Sequence, residues 1–173
     1  MSIFDSLKRQ VKSQLKREST KIVKDAAQNI GKGRNHSETF SFSALPMRLD
    51  DLKALPEASL DSAFKTTALT LVALCRYEQD PAVAFEMLDF LKGPENVSTY
   101  EKQFIAERLK DREYKIRSYF AGATPENNYQ PSQPYTITVS ENPYSFDNEN
   151  WATLYVTSSG SDNPRPIKLR KKP

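Results

Sequence analysis

Side chains suited to ligand binding are concentrated between residues 114 and 155. This stretch holds nine of the chain's eighteen aromatic residues, interleaved with amides and prolines. Aromatic rings offer large, rigid contact surfaces, and Tyr and Trp add a polar group that can hydrogen-bond. We therefore predict a recognition surface for peptides or sugars, with an internally packed aromatic loop as the alternative. The candidate binding residues are Tyr119, Phe120, Asn127, Asn128, Tyr129, Tyr135, Tyr144 and Trp151.

Residues for catalysis or metal binding are sparse. The chain has one histidine, His36, and one cysteine, Cys75. A Ser-His-Asp or Cys-His arrangement, or a zinc site, needs partners that this composition does not supply. His36 is interpreted as an exposed residue, and the apolar surroundings of Cys75 predict a buried, unreactive thiol. No catalytic residue, metal ligand or cofactor is predicted, and the interpretation leans away from an enzyme.

Three helices in series are predicted to position the aromatic stretch. The apolar run from Leu60 to Leu91 supplies a central helix over 60–78 and a second over 81–92. Asp80 and Pro81 give the second helix an N-cap and a first-turn proline. A third helix is predicted over 99–112, opened by a sequence that resembles a capping box. Its inward residues are predicted to be Tyr100, Phe104, Ile105 and Leu109.

Strands follow the helices. Alternating residues predict strands over 135–141, 151–158 and 165–170, joined by turns into an antiparallel meander. The Pro- and amide-rich segment 119–134 is predicted to be an ordered loop. The expected fold class is α+β, a three-helix layer packed on a small β-meander over residues 46–173. Residues 35–45 are predicted to be a linker, within which the alternation over 39–43 is also compatible with a short edge strand.

The first 34 residues predict a long basic amphipathic helix, with nine Lys and Arg against three Asp and Glu. Its apolar stripe and lysine face would form a docking helix, for which three interpretations remain open. It docks on a partner protein or a second copy, adsorbs to an anionic membrane surface, or is a solvated arm. The docking residues are Phe4, Leu7, Val11, Leu15 and Ile22, with Lys8, Lys12 and Lys16 beside them.

Charge and composition exclude several classes of protein. Hydrophobic residues make up 38% and charged residues 27% of the chain, which is typical of a folded soluble protein. Residues 35–164 carry eleven Lys and Arg against nineteen Asp and Glu, whereas residues 165–173 carry five and none. The acidic body argues against nucleic acid as a partner. We expect a cytoplasmic location, with membrane contact at most peripheral.

Four segments resemble an uncharacterised bacterial family found mainly in Firmicutes. They are Leu55–Asp61, Phe90–Pro94, Tyr119–Tyr129 and Tyr135–Tyr144. The resemblance covers roughly residues 40–169, implies a bacterial cytoplasmic origin and supplies no catalytic residue. Members of that family continue past the third strand with a Trp-containing segment, so whether the natural chain continues past Pro173 stays open at this point.

Two hypotheses for function follow. The first is a non-catalytic binding or adaptor module, in which the N-terminal helix docks on a protein, a second copy or a membrane, and loop 119–134 presents the recognition surface. The alternative is a small-ligand-binding pocket protein or an enzyme of unidentified class. Such a pocket would be enclosed by helices and sheet, with Glu141 or Tyr155 at its floor.

Overall fold

The computed structural model describes residues 35–172, which belong to one compact unit. The predicted N-terminal docking helix lies outside these residues. The helices are α1 (Leu49–Lys53), α2 (Ala63–Arg76), α3 (Pro81–Lys92), α4 (Thr99–Leu109) and α5 (Tyr114–Arg117). The strands are β1 (Ser37–Phe42), β2 (Tyr135–Ser140), β3 (Trp151–Val156) and β4 (Arg165–Arg170). The α+β class is confirmed, and no helix in the described part of the chain is long and apolar enough to cross a membrane.

The four strands form one antiparallel sheet in the order β1-β2-β3-β4. Phe40 pairs with Ile137, and Leu154 pairs with Ile167. Because side chains alternate along a strand, this register brings apolar residues from all four strands to one face. That face carries the sheet's contribution to the core, whose fully buried members include Ile137, Val139, Leu154 and Val156.

Strand β1 corrects the expectation of a linker over residues 35–45. Phe40 and Phe42 are buried, and the hydroxyls of Thr39 and Thr138 lie 2.9 Å apart across the β1–β2 pair. The edge strand that the alternation allowed is therefore formed, and it begins at Ser37. Thr138, the partner of Thr39, is 99 residues further along the chain. No local pattern could therefore show that residues 37–42 complete the sheet.

Helix α2 packs on the core face of the sheet and contacts all four strands, and α3 packs against α2. Helix α2 buries Phe64, Leu69 and Val72 among others, and the Ser62 hydroxyl caps it by accepting a hydrogen bond from the Phe64 amide at 3.2 Å. The Asp80 carboxylate caps α3 through the Val83 amide at 3.2 Å, with the Pro81 ring in the first turn. The predicted bounds of α3 are the observed ones, whereas α2 is shorter than predicted at both ends.

Helix α4 presents a different face to the core than predicted. Ile105 is half-buried and Leu109 is buried, but Tyr100 is 77% exposed and Phe104 is 47% exposed. The two pairs lie on adjacent faces of the helix, because neighbouring residues are about 100° apart. Ile105 and Leu109 therefore face the core. Phe104 does not, and its ring centroid lies 5.0 Å from the Arg108 guanidinium. The predicted three-helix layer on the sheet is therefore wrong in detail, because α2 alone packs directly on the sheet, α3 packs against α2, and α4 lies at the margin of the core.

Candidate binding groove

Loop 119–134, the predicted recognition loop, is hydrogen-bonded to itself through Asn127. The Asn127 amide nitrogen donates to the carbonyls of Gly122 (2.7 Å) and Gln130 (3.1 Å). Its amide oxygen accepts from the backbone N–H of Thr124 (2.9 Å) and of Gln130 (3.1 Å). Two donors and two acceptor positions are thus in use, which is the full capacity of a carboxamide. Asn127 holds the loop closed and has no hydrogen-bonding group left for a ligand.

The aromatic residues of loop 119–134 also pack within the domain. Phe120 is buried in the core and meets the half-buried Tyr135 ring edge-on. Tyr129 stacks on Tyr114 with ring centroids 4.9 Å apart. Tyr119 is half-buried, and this burial raises the pKa of its phenol. Their placement favours the internally packed interpretation for this loop, in which Asn128 is the exposed turn residue with φ 57°.

The connection between β2 and β3, residues 141–150, has the opposite arrangement. Its backbone is anchored, because the Thr153 amide donates to the Ser145 carbonyl at 2.8 Å and the Asn142 amide donates to the buried Ser145 hydroxyl at 2.9 Å. Its aromatic side chains point into solvent. Tyr144 is 73% exposed, Phe146 is 53% exposed, and Trp151, the first residue of β3, is 46% exposed. These rings are the exposed part of the predicted aromatic stretch.

Phe146 and Trp151 line an open groove of about 950 Å³, which we call the Trp151 groove. One wall is formed by residues 60–66 at the start of α2 and residues 91–95 at the end of α3. The opposite wall is formed by residues 146–152 and by residues 168–172 on and after β4. Apolar contributions come from Leu60, Ala63, Leu91 and Leu169. The groove therefore combines an apolar lining with two exposed aromatic rings.

Most acids at the groove are already paired with lysines. Lys92 Nζ lies 2.7 Å from Glu101 Oε2, and Lys172 Nζ lies 3.0 Å from Glu95 Oε2. The hydrogen bond from Lys92, with those from Ser98, lowers the pKa of Glu101 to about 2. The Lys172 hydrogen bond lowers the pKa of Glu95, and the Lys65 hydrogen bond lowers that of Asp61. Carboxylates held ionised in this way are poor proton donors near neutral pH.

The cations of β4 differ from the other groove lysines. Among residues 35–172, Lys168, Arg170 and Lys171 form no ion pair. Arg170 faces Trp151 across the β3–β4 register, with its guanidinium 5.7 Å from the ring centroid. A guanidinium stacked on a ring keeps its N–H groups directed sideways, where a carboxylate can bind them. The groove is thus a site for apolar groups beside three cations that form no ion pair within residues 35–172, although the charge of Arg170 contributes to the lowered pKa of Glu95.

The remaining chemically active residues lie away from the groove. Cys75 packs against the core on α2, and burial raises the pKa of its thiol to about 12. His36 is exposed, with Nε2 3.4 Å from Glu38 Oε1. Glu141 and Tyr155, the expected floor of an enclosed pocket, are not among the residues that line the groove. Within residues 35–172, no group of three or more His, Cys, Asp or Glu is placed to hold a metal ion.

Of the predicted binding residues, Trp151 alone lines the groove. Sequence reasoning counted Phe146 in the aromatic stretch but did not select it, and it missed Lys168, Arg170 and Lys171. The signal available for these three cations was the basic run over 165–172, which follows an otherwise acidic body. That run could be noticed, but its position beside Trp151 depends on the pairing of β3 with β4.

Comparison with known proteins gives a family and no further relative. The family model described as "Domain of unknown function (DUF6935)" matches residues 44–173. No curated protein and no solved structure matches the chain. All residues that line the Trp151 groove fall within the matched range, whereas β1 precedes it.

Proposed function

The chain belongs to this family of domains of unknown function, and we propose that its domain is a non-catalytic binding module that holds a segment of a partner protein in the Trp151 groove. One observation carries the proposal. Two large aromatic rings, Phe146 and Trp151, stand about half exposed in a groove that also has apolar and charged lining residues. Trp and Arg are the residues that most often dominate binding energy at protein interfaces.

The charges around the groove support binding more than catalysis. The acids with lowered pKa serve as ion-pair partners that hold the groove walls, as Glu101 does for Lys92 and Glu95 for Lys172. A general acid needs a pKa near the working pH, and these carboxylates are shifted in the other direction. An apolar centre with a charged rim is the usual composition of a protein–protein interface.

The N-terminal region is proposed to add a second docking element, which would make the protein an adaptor. Support comes from the sequence, in which Leu7, Val11 and Leu15 form an apolar stripe among lysines. We propose a partner protein or a second copy as its target, with an anionic membrane surface as the alternative. A bacterial, cytoplasmic setting belongs to the same proposal, and the family resemblance of the four segments supports it.

Trp151 provides a direct test of the groove because it is the chain's only tryptophan. Peptides selected from a random library on the full chain should shift Trp151 fluorescence to shorter wavelength as the ring leaves water. Phe146→Ala should weaken their binding at least tenfold, since a buried aromatic contact contributes about 1.5 kcal/mol or more. Tyr144→Ala is the matched control, because Tyr144 is exposed in the same connection but does not line the groove. Equal weakening by both substitutions, or selected peptides that leave Trp151 fluorescence unchanged, would refute the proposal.

The N-terminal element is tested in the full chain by Leu7→Glu with Val11→Glu. This pair should reduce self-association in light scattering or sedimentation with anionic vesicles, whichever the native chain shows. Gln10→Glu with Ser13→Glu adds the same charge on the polar side and should leave both measurements unchanged. If the two pairs behave alike, the apolar stripe is not the docking element.

A further inference from the structure

We infer that the partner segment is acidic and extended, with its carboxylates on Lys168, Arg170 and Lys171 and an apolar side chain between Phe146 and Trp151. This inference rests on the proposed function and adds the chemistry of the partner. It begins from the charge distribution. Lys92 and Lys172 have carboxylate partners within the domain, whereas the three cations of β4 and its end have none among residues 35–172.

Within residues 35–172 no strand pairs with the outer edge of β4, and this favours an extended partner. The Lys171 amide donates to the Asn150 carbonyl at 2.7 Å, so the backbone groups of Lys171 point towards the neighbouring connection and β3. Backbone N–H groups alternate in direction along a strand, and those of Lys168 and Arg170 therefore point away from β3. Strand β4 is the last in the sheet order, so a peptide can add to this edge.

Proline limits where that addition can occur. The backbone nitrogen of Pro166 points away from β3, as those of Lys168 and Arg170 do, but it carries no hydrogen to donate. Of these three outward residues, only Lys168 and Arg170, at the end of β4 that borders the groove, can donate a backbone hydrogen bond to an added strand. Backbone pairing would thus occur beside Arg170, whose guanidinium lies 5.7 Å from the Trp151 ring centroid.

The same cations determine which strands can bind. Lysine, arginine and proline on an edge strand discourage pairing with other strands, and this protective role is the simplest explanation for residues 165–170. It acts against basic strands through charge repulsion and against neutral strands through the cost of desolvating unpaired cations. An acidic strand converts the repulsion into attraction, so one set of side chains would both exclude wrong partners and select the right one.

A nucleic acid fits the groove less well than a peptide. Aromatic and basic residues also bind single-stranded nucleic acids. Asp61, Glu95 and Glu149, however, lie on the walls of the same groove. A phosphate backbone has uniform negative charge and would meet these carboxylates, whereas a peptide can place its acids at the three cations and uncharged residues at the carboxylates.

The test compares peptides of about ten residues, which span roughly 33 Å when extended. In the first peptide, Glu occupies alternate positions and a single Leu lies near the centre. In the second, Gln replaces every Glu, and in the third, Lys replaces every Glu. Binding to the full chain is followed by Trp151 fluorescence. We expect the Glu peptide to bind about tenfold tighter than the Gln peptide at low salt, and the advantage to shrink as salt is raised to ~0.5 M. The Lys peptide should bind more weakly than both.

A matched pair of charge variants locates the effect. Lys168→Gln with Arg170→Gln and Lys171→Gln should remove the preference for the Glu peptide. The control variant, Lys110→Gln with Arg112→Gln and Lys115→Gln, removes three exposed cations outside the groove and should retain the preference for the Glu peptide.

If the Gln peptide binds as tightly as the Glu peptide, the acidic partner is refuted, whereas the proposal of a binding groove is not. If none of the peptides changes Trp151 fluorescence, the proposed function fails as well. If oligothymidylate binds more tightly than the Glu peptide, the proposed partner is a nucleic acid and not a peptide.

Discussion

Loop 119–134 and the connection 141–150 have similar compositions and different structures. Both mix aromatic residues with asparagine and proline. In the first, the Asn127 side chain makes four hydrogen bonds within the loop, and Phe120 lies in the core. In the second, hydrogen bonds at Asn142 and Ser145 fix the backbone, and Phe146 points into solvent beside Trp151. The comparison shows that aromatic content alone does not identify a recognition surface, because the same residue types can complete the core.

Among substitutions that do not empty a core position, the largest effect is expected in the closed loop. At Gly122, φ is 79°, and an added Cβ would lie 1.9 Å from Ser132 Oγ. Gly122→Ala should therefore lower the free energy of unfolding by about 2–4 kcal/mol, combining a left-handed backbone penalty with a steric clash. Urea denaturation measures the loss. Gly160→Ala is the matched control, since its φ is 78° but its Cβ would have ordinary contacts from 3.8 Å. Equal losses in the two variants would show that Ser132 moves aside.

A smaller loss is expected from removing the amide that closes the same loop. Asn127→Ala deletes four hydrogen bonds and should cost about 1–3 kcal/mol of unfolding free energy. Asn148→Ala removes an exposed amide from the other connection and should change stability by less than about 0.5 kcal/mol. If thermal denaturation gives both variants the same melting temperature, Asn127 does not hold its loop.

The groove rim should respond to pH, unlike the amide-closed loop. The pKa of Glu101 falls from its ordinary value of 4.5 to about 2 on folding, so its contribution to stability is present above pH 4.5 and is lost as pH falls towards 2. Glu101 is 45% exposed, which limits the contribution to less than about 1 kcal/mol. The stability difference between the native chain and Glu101→Gln should therefore shrink over this pH range. Glu107→Gln on the same helix is the control, and a difference that persists at pH 2 would contradict the ion-pair explanation.

The smallest expected effect on stability is at the groove itself. Phe146→Ala should change the free energy of unfolding by less than about 1 kcal/mol, because an exposed ring gains little from folding. Phe120→Ala, which empties a core position in the other loop, should cost about 3–5 kcal/mol. Comparable losses in urea would mean that Phe146 belongs to the core and would remove it from the groove.

Features encoded by neighbouring residues were predictable from the sequence. The bounds of α3 follow from Asp80, Pro81 and Gly93, and the start of α4 follows from the Ser98–Glu101 capping box, which the structure contains. The strand over 165–170 was also predictable, because its alternating pattern lies between turn residues. Each of these signals acts over a few residues and does not depend on the rest of the fold.

Features that depend on distant residues were not predictable. The core face of α4 could not be chosen, because Tyr100 and Phe104 are as apolar as Ile105 and Leu109. The role of β1 depends on a strand about a hundred residues away, as the pairing of Phe40 with Ile137 shows. The groove depends on the register that brings Arg170 opposite Trp151. Whether an aromatic ring is buried or exposed was decided by these long-range pairings.

Strand β1 has a practical consequence for work on this family. The family match begins at residue 44, after β1 has ended at Phe42. A fragment cut at that boundary would remove the two buried phenylalanines of β1 and leave Ile137 and Val139 of β2 on an open strand edge. Unpaired apolar edges associate with one another and form aggregates. Recombinant fragments that contain this domain should therefore begin before Ser37.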